Sequence, residues 1–249
     1  MVNPTGTYGL ALQPLSASSL LSAGDTGHAI WASQGNDYRT NVALVLLDPN
    51  SSAQVVVYDA QNQMRGSTTL SSPVPISWQT TLPSLIGTAL ALGRVEFRVS
   101  QGRAAGYTAV VDNVTGDGIA ALAERLDSGA TDFLLDGVAR TPGANNTHWS
   151  TDVRLFNPND TPLDINIDSA GFSSGNSTVT RSIPPSGLIE IVDILGAGGF
   201  GYPDGVAGAL RCNNGLGHVS QCIGDGVVLS GVTCRSCRLR RHRLGLMHH

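Results

Sequence analysis

One passage of the 249-residue chain occurs twice, about 110 residues apart. The first copy, YRTNVALVLLDPN, begins at Tyr38, and the second, HWSTDVRLFNPN, begins at His148. In both copies an aromatic residue precedes a threonine, an alternating apolar run and a turn that ends in Pro-Asn. Weaker matches continue in the same order on either side. Because a fixed internal spacing marks successive copies of one structural unit, the chain is expected to contain two similar domains.

Within each copy, apolar residues recur at every second position. The segment RVEFRVS alternates three apolar residues with charged ones, so Arg94, Glu96 and Arg98 are expected to share the solvent-exposed face of a strand. Thirty glycines and twelve prolines supply frequent turns between such strands. The pattern predicts an all-β fold. One segment, GIAALAERLDS from Gly118, fits either a short amphipathic helix or a strand that continues toward a linker.

Three segments carry a resemblance to a known module. They are GDTGHAIWASQGNDYRTNVALVLLDPN, DGVARTPGANNTHWSTDVRLFNPND and the closing YTAVVDNVTGD. Together they resemble a tandem, immunoglobulin-like module of exported bacterial proteins, over about residues 1–211. The resemblance implies two tandem immunoglobulin-like antiparallel β-sandwiches and an extracellular or cell-surface location. It brings no catalytic residues. The N-terminal residues MVNPTGTYGL show no secretion signal, and no apolar run is long enough to span a membrane.

The repeat and the changes in composition divide the chain into five parts. These are the end of a preceding repeat (1–14), the first sandwich (15–125), a connector (126–147), the second sandwich (148–225) and a basic tail (226–249). After Arg211 the alternation is lost, which is typical of an out-of-frame reading or a cloning junction. If that segment is foreign, the second sandwich is incomplete. It would then borrow a strand or form a homodimer through an unpaired sheet edge.

Charge and cysteine are unevenly distributed along the chain. Nine arginines and eighteen acidic residues lie before residue 211, and lysine is absent, so the acidic body offers no surface for nucleic acid. Six arginines lie from residue 211 onward, together with all the cysteines: Cys212, Cys222, Cys234 and Cys237. With His218 and His242 nearby, a zinc site, disulfides and incidental cysteines all stay open. Only one Cys-x-x-Cys pair is present to favour zinc.

The body has two histidines, His28 and His148, at related positions just before the repeated strand. Ser150 and Asp152 follow His148, which suggests a catalytic triad. Neighbours on one strand seldom meet the geometry in which the acid orients the base, so a histidine packed between domains is the preferred interpretation.

Two further groups could bind a ligand. In DNVTGDG, Asp112 and Asp117 are candidate calcium ligands, with an Asx-type turn as the alternative; no other cofactor is expected. An aromatic platform for sugar rings is the other candidate, although aromatic residues that begin repeated strands more often fill the core. Its members would be Trp31, Trp78, Trp149 and Tyr38.

Three functions follow from these observations. The first is a non-enzymatic structural or interaction module of an exported bacterial protein, serving in spacing, display or adhesion. Its partners would be other domains of a larger exported protein or cell-surface polymers. The second is an ester or lactone hydrolase from environmental DNA, with a site between the domains that uses His28, His148 or a calcium ion. The third is a carbohydrate-binding module.

Overall fold

The alternating segments form antiparallel strands throughout the computed structural model, which describes residues 2–3, 6–7, 15–114, 116, 118–125, 132–143, 148–172 and 177–213. The helical elements are a 3-10 turn, Ala17–Ser19, and one short helix, α1, Leu82–Ile86. The strands are β1 Val2–Asn3, β2 Gly6–Thr7, β3 Leu21–Ser22, β4 Thr26–Gln34, β5 Tyr38–Leu46, β6 Ser51–Asp59, β7 Met64–Ser72, β8 Ile76–Thr81, β9 Leu90–Gln101, β10 Arg103–Asp112, β11 Gly118–Leu122, β12 Glu124–Arg125, β13 Asp132–Pro142, β14 His148–Trp149, β15 Val153–Phe156, β16 Leu163–Ala170, β17 Thr178–Ile183, β18 Leu188–Ile191 and β19 Val206–Asn213.

The first sandwich, repeat 1, packs two sheets around one core. One sheet has the order β12-β4-β9-β6-β7, and the other has the order β11-β10-β5-β8 with β3 beside β10. The inward residues of both sheets form one apolar cluster around Phe97, which is fully buried. The all-β fold predicted from the period-two pattern is confirmed.

Repeat 2 shares the order of four strands with repeat 1. Its larger sheet has the order β14-β13-β19-β16-β17, in which β13, β19, β16 and β17 match β4, β9, β6 and β7 of repeat 1. The short edge strands differ, because β14 pairs with the C-terminal end of β13, whereas β12 pairs with the N-terminal end of β4. Its second sheet contains β15 and β18 among the described residues, and these match β5 and β8. A separate apolar cluster fills its interior. The internal repeat of the sequence is therefore a repeat of topology.

The repeated threonine of the two motifs joins the sheets of each sandwich. Thr40, at the start of β5, accepts a hydrogen bond from the Ser33 N–H (3.0 Å) and donates one to the Ser33 carbonyl (2.6 Å). Thr151 makes the same pair of bonds with Ala139, both at 3.0 Å. Both threonines are buried, and these bonds satisfy backbone groups of Ser33 in β4 and Ala139 in β13. The same pair of bonds, which we call the clamp, thus occurs at the repeated threonine in both sandwiches.

The structure differs from the predicted connector, because residues 132–142 of that segment form β13, a central strand of repeat 2. A β-bulge shifts its register between Leu135 and Val138, and Gly137 within the bulge has a φ of 73°. An extra residue breaks the alternation that marks a strand in sequence. The segment from Gly118 forms β11 and then β12, so the strand alternative is correct.

The ends of the chain bear on three other expectations. The pairing of β1 with β2 resembles the hairpin of β10 and β11 that the N-terminal residues match in sequence. Residues 214–249 lie outside the described residues, so the tail, its origin and the predicted incomplete edge of the second sandwich stay predictions. No helix in the described part of the chain has the length and apolar character needed to cross a membrane.

Candidate functional site

The two repeats meet through an apolar contact, which we call the joint. Ile30 of β4, Phe156 of β15 and Leu188 of β18 form one cluster, and each is at least 97% buried. Ala60 and Leu92 of repeat 1 pack against the cluster. The backbone N–H of Leu188 donates a hydrogen bond to the Ala60 carbonyl across the joint, at 3.0 Å. The part of the outer face formed by β4 and β9 in repeat 1 is thus covered by β15 and β18 of repeat 2.

Each repeat contributes one arginine to an aromatic ring of the other. The Arg94 guanidinium lies 4.2 Å from the centre of the Tyr58 ring and 4.5 Å from the centre of the Phe156 ring, between the two repeats. In the reverse direction, the Arg154 guanidinium of repeat 2 lies 3.6 Å over the Trp31 ring of repeat 1. Such contacts are worth about 2 kcal/mol or more when they are desolvated. The joint therefore contains a cation–π contact in each direction between the repeats.

A buried carboxylate balances the charge on the repeat 1 side of the joint. Glu96 Oε1 accepts a hydrogen bond from Arg94 Nη1 at 2.7 Å, and Glu96 Oε2 accepts bonds from Arg98 Nη2 at 2.7 Å and Nε at 3.0 Å. Arg98 also donates to the Tyr58 hydroxyl at 2.7 Å. Arg94 and Glu96 are only 3% and 7% exposed, so the sequence expectation that this face is wet was wrong for both residues. Repeat 2 packs on this face and shields Arg94 and Glu96 from the solvent contact that the alternating pattern predicts.

His28 lies inside this joint. Its ring centre is 5.5 Å from that of Phe156, and its Nδ1 is 3.6 Å from Glu96 Oε1. Burial lowers the pKa of His28 to about 4, and the opposing effect of the Glu96 charge is smaller. A general base works best with a pKa near the operating pH and with access to a substrate. His28 is instead enclosed and neutral, in the position that a packing histidine would take.

His148 lies in repeat 2 and has a different set of partners. Its Nε2 is 2.9 Å from Asp204 Oδ1, and the same carboxylate pairs with Arg140. The hydrogen bond from His148 is the main cause that lowers the pKa of Asp204. Asp152 accepts a hydrogen bond from the Asp193 backbone N–H at 2.9 Å, and no hydrogen bond between described residues links it to His148. The His148–Ser150–Asp152 triad is therefore not assembled, and His148 and His28 do not share a site.

The calcium candidate Asp112 caps a turn. Its Oδ1 accepts a hydrogen bond from the Val114 N–H at 2.7 Å, and its carbonyl accepts one from the Gly116 N–H at 2.9 Å. These are the bonds of an Asx-type turn. The neighbouring Asn113 side-chain oxygen accepts a hydrogen bond from Arg39 at 2.7 Å, which brings a positive charge toward the loop. The other candidate, Asp117, lies outside the described residues.

The remaining candidates do not converge on one surface. Trp31 is buried and meets Tyr38 edge to face, Trp78 packs on the core of repeat 1, and Trp149 is 41% exposed. Cys212 is buried in the core of repeat 2, whereas Cys222, Cys234, Cys237, His218 and His242 lie outside the described residues. In the part of the chain that the structure describes, no three His, Cys, Asp or Glu side chains cluster in a way that could hold a metal ion.

Sequence reasoning identified His28 but missed the joint around it. The segment RVEFRVS carried a signal for this buried contact, because charged residues on one face of a strand can be buried together when their charges are opposite and paired. Phe156 is a second signal, because it stands where alternation predicts an outward side chain. No protein-family model matches the chain, and no curated protein matches it.

Proposed function

We propose that the chain is a non-enzymatic structural and interaction module of an exported bacterial protein, in which two immunoglobulin-like repeats are held in one fixed orientation. The joint is the observation that carries this proposal. A spacer or display segment must keep its length and direction, and a flexible linker between independent domains would not do so. In this role the chain connects other domains of a larger protein or presents a surface to cell-surface polymers.

The composition of the joint supports a fixed orientation. Apolar contact alone is non-directional, so Ile30, Phe156 and Leu188 could slide past their neighbours at little cost. Buried ion pairs add little net stability, but they are satisfied in only one arrangement. Separating Arg94 from Phe156, or Arg154 from Trp31, would forfeit the contacts that compensate these cations for lost hydration. The charges therefore specify the angle, and the apolar cluster supplies most of the attraction.

The placement of the polar candidates supports a non-enzymatic role. His28 is enclosed by the joint, His148 holds Asp204, and Asp112 caps a turn. Each of these side chains has a structural task in the folded chain. The bacterial and extracellular setting rests on the sequence resemblance. The acidic body, without lysine and without cysteine before residue 211, is compatible with that setting.

A turnover assay tests this proposal directly. Purified chain is incubated with activated esters and lactones, with and without a chelator, beside folded His28→Ala and His148→Ala variants. We expect no hydrolysis above the blank in any sample. Hydrolysis that a folded histidine variant abolishes would establish the hydrolase alternative instead. Hydrolysis that both variants retain would point to a contaminant or to another site. Loss of the activity on further purification would identify a contaminant, and activity that stays with the chain would contradict the proposal.

A polysaccharide pull-down separates adhesion from carbohydrate binding through aromatic residues. The wild type and a Trp149→Ala variant are compared, because Trp149 is the exposed member of the tryptophan set. Retention that depends on Trp149 would favour the carbohydrate-binding module. We expect that the substitution does not change retention.

A further inference from the structure

Among the described residues, the larger sheet of each repeat ends in a short strand on one side and in a longer strand without a further partner on the other. In repeat 1, β12 pairs with β4 through Glu124 and Arg125, and the Arg125 side chain is tied to the Leu20 carbonyl and to Asp25. In repeat 2, β14 pairs with the C-terminal end of β13, on the same side of the larger sheet. Short strands of this kind protect a sheet from pairing with another chain. The opposite edges are β7 and β17.

Of these two edges, β7 is the less guarded one, with α1 packed against it near Gly66. It spans nine residues, and among the described residues it pairs only with β6. From Gly66 to Ser72 it reads GSTTLSS, with no charge and no proline. The equivalent strand β17 carries Arg181, whose Nη2 donates to the Gly198 carbonyl at 2.6 Å. An exposed, neutral strand with unpaired backbone groups is a template for a further strand.

The joint leaves β7 accessible. Repeat 2 packs on β4 and β9 and on the residue that follows β6, whereas β7 lies at the far edge of the same sheet. Ser67, Thr69 and Ser71 alternate along β7 and are exposed. A second molecule could therefore reach this edge without disturbing the contact between the repeats.

We propose that β7 pairs antiparallel with β7 of a second copy of this chain, with the two-fold axis at Thr69. This register places Thr69 opposite Thr69 of the partner copy and Ser67 opposite Ser71. Hydroxyl pairs of this kind are favourable across antiparallel strands. The inward Thr68 meets Leu70, and Arg65 falls opposite Pro73, so no two like charges face each other. The strand is thus complementary to itself, as an isologous interface requires.

The size of this contact predicts weak association. Seven residues of one strand give an interface at the small end of specific interfaces, which is typical of transient complexes. The dimer would form at high local concentration, such as on a surface crowded with copies. Such a dimer would give neighbouring spacer modules a side-to-side contact. Its formation depends neither on the joint nor on whether the chain is an enzyme.

Sedimentation velocity over a concentration series, with full-length chain, tests the dimer. The wild type should shift toward the dimer as concentration rises. The Thr69→Arg variant should associate at least about tenfold more weakly, because the substituted residue faces its own copy across the axis and like charges repel. Thr180→Arg, on the equivalent strand of repeat 2, is the matched control and should associate as the wild type does.

A charge exchange supplies the second test, which holds even if one variant folds poorly. Ser67→Arg combined with Ser71→Arg should weaken association, because residue 67 faces residue 71 of the partner copy and two arginines would then be opposed. Ser67→Arg combined with Ser71→Asp should restore it, because the facing charges are then opposite. Circular dichroism checks that each variant is folded. A wild type that stays monomeric throughout would overturn the proposal. Association that ignores both Thr69→Arg and the charge exchange would overturn it as well.

Discussion

Burial of His28 in the joint predicts a loss of stability at mildly acidic pH. In the folded chain its pKa is about 4, against 6.5 for a solvated histidine, because burial disfavours the charged ring. Between these two values the unfolded chain takes up a proton that the folded chain excludes. Stability is therefore fully present above about pH 6.5 and is lost progressively as the pH falls toward about 4.

The size of this loss follows from the shift. A difference of about 2.5 pH units corresponds to roughly 3 kcal/mol in the free energy of unfolding, at about 1.4 kcal/mol per unit. Since marginal domains have only about 5–15 kcal/mol in total, such a loss is measurable. His28→Gln removes the titrating group. We expect it to lower stability at neutral pH, because the contact with Phe156 is lost, but to flatten the dependence between about pH 4 and 6.5.

The assay is urea unfolding at a series of pH values, followed by tryptophan fluorescence. Trp31 and Trp78 report on repeat 1, and Trp149 reports on repeat 2. His148→Gln serves as the matched control, since its ring lies outside the joint. If the wild type and His28→Gln lose stability with the same slope between pH 4 and 6.5, the reasoning is refuted. A titration of the His28 ring near pH 6.5 by NMR would refute it equally.

Two other predictions concern the clamp and the calcium candidate. Thr40→Val and Thr151→Val should each lower the free energy of unfolding of their own repeat by about 1–3 kcal/mol, because each substitution leaves backbone groups unpaired. Urea unfolding measures this loss, with Thr161→Val at an exposed position as the control; equal losses in all three variants would contradict the role of the clamp. Asp112→Ala should lower stability by about 1 kcal/mol through loss of the Asx-type turn, while chelator or added calcium leaves the melting temperature of the wild type unchanged; a rise with calcium would restore the metal hypothesis.

The all-β architecture could be predicted because it depends on patterns within short segments of the sequence. The alternation in RVEFRVS and the repeated Thr-x-Val motif depend on which side of a strand faces a core, and that relation is local. β13 escaped prediction because a bulge at Gly137 puts its inward residues out of phase. A pattern with one extra residue no longer matches a period of two.

The site was harder to predict because its partners are distant in the chain. Arg94 and Phe156 are 62 positions apart in sequence, and nothing local to Arg94 indicates that an aromatic ring from the next repeat covers it. The same holds for His148, whose partner Asp204 lies in a glycine-rich loop 56 residues away. Alternation can tell which face of a strand points outward. It cannot tell whether another domain covers that face.

The central claim is that the joint makes the two repeats one rigid unit, and backbone ¹⁵N relaxation tests it most directly. Amides of both repeats are measured in the same sample at low concentration, so that self-association does not contribute. A Phe156→Ala variant removes the ring that contacts both Arg94 and His28. Phe133→Ala is the control for general destabilisation, because Phe133 is partly buried and packs against the core of repeat 2. We predict one common rotational correlation time for both repeats in the wild type and in Phe133→Ala, and two shorter, separate times in Phe156→Ala. Separate correlation times in the wild type would contradict the claim.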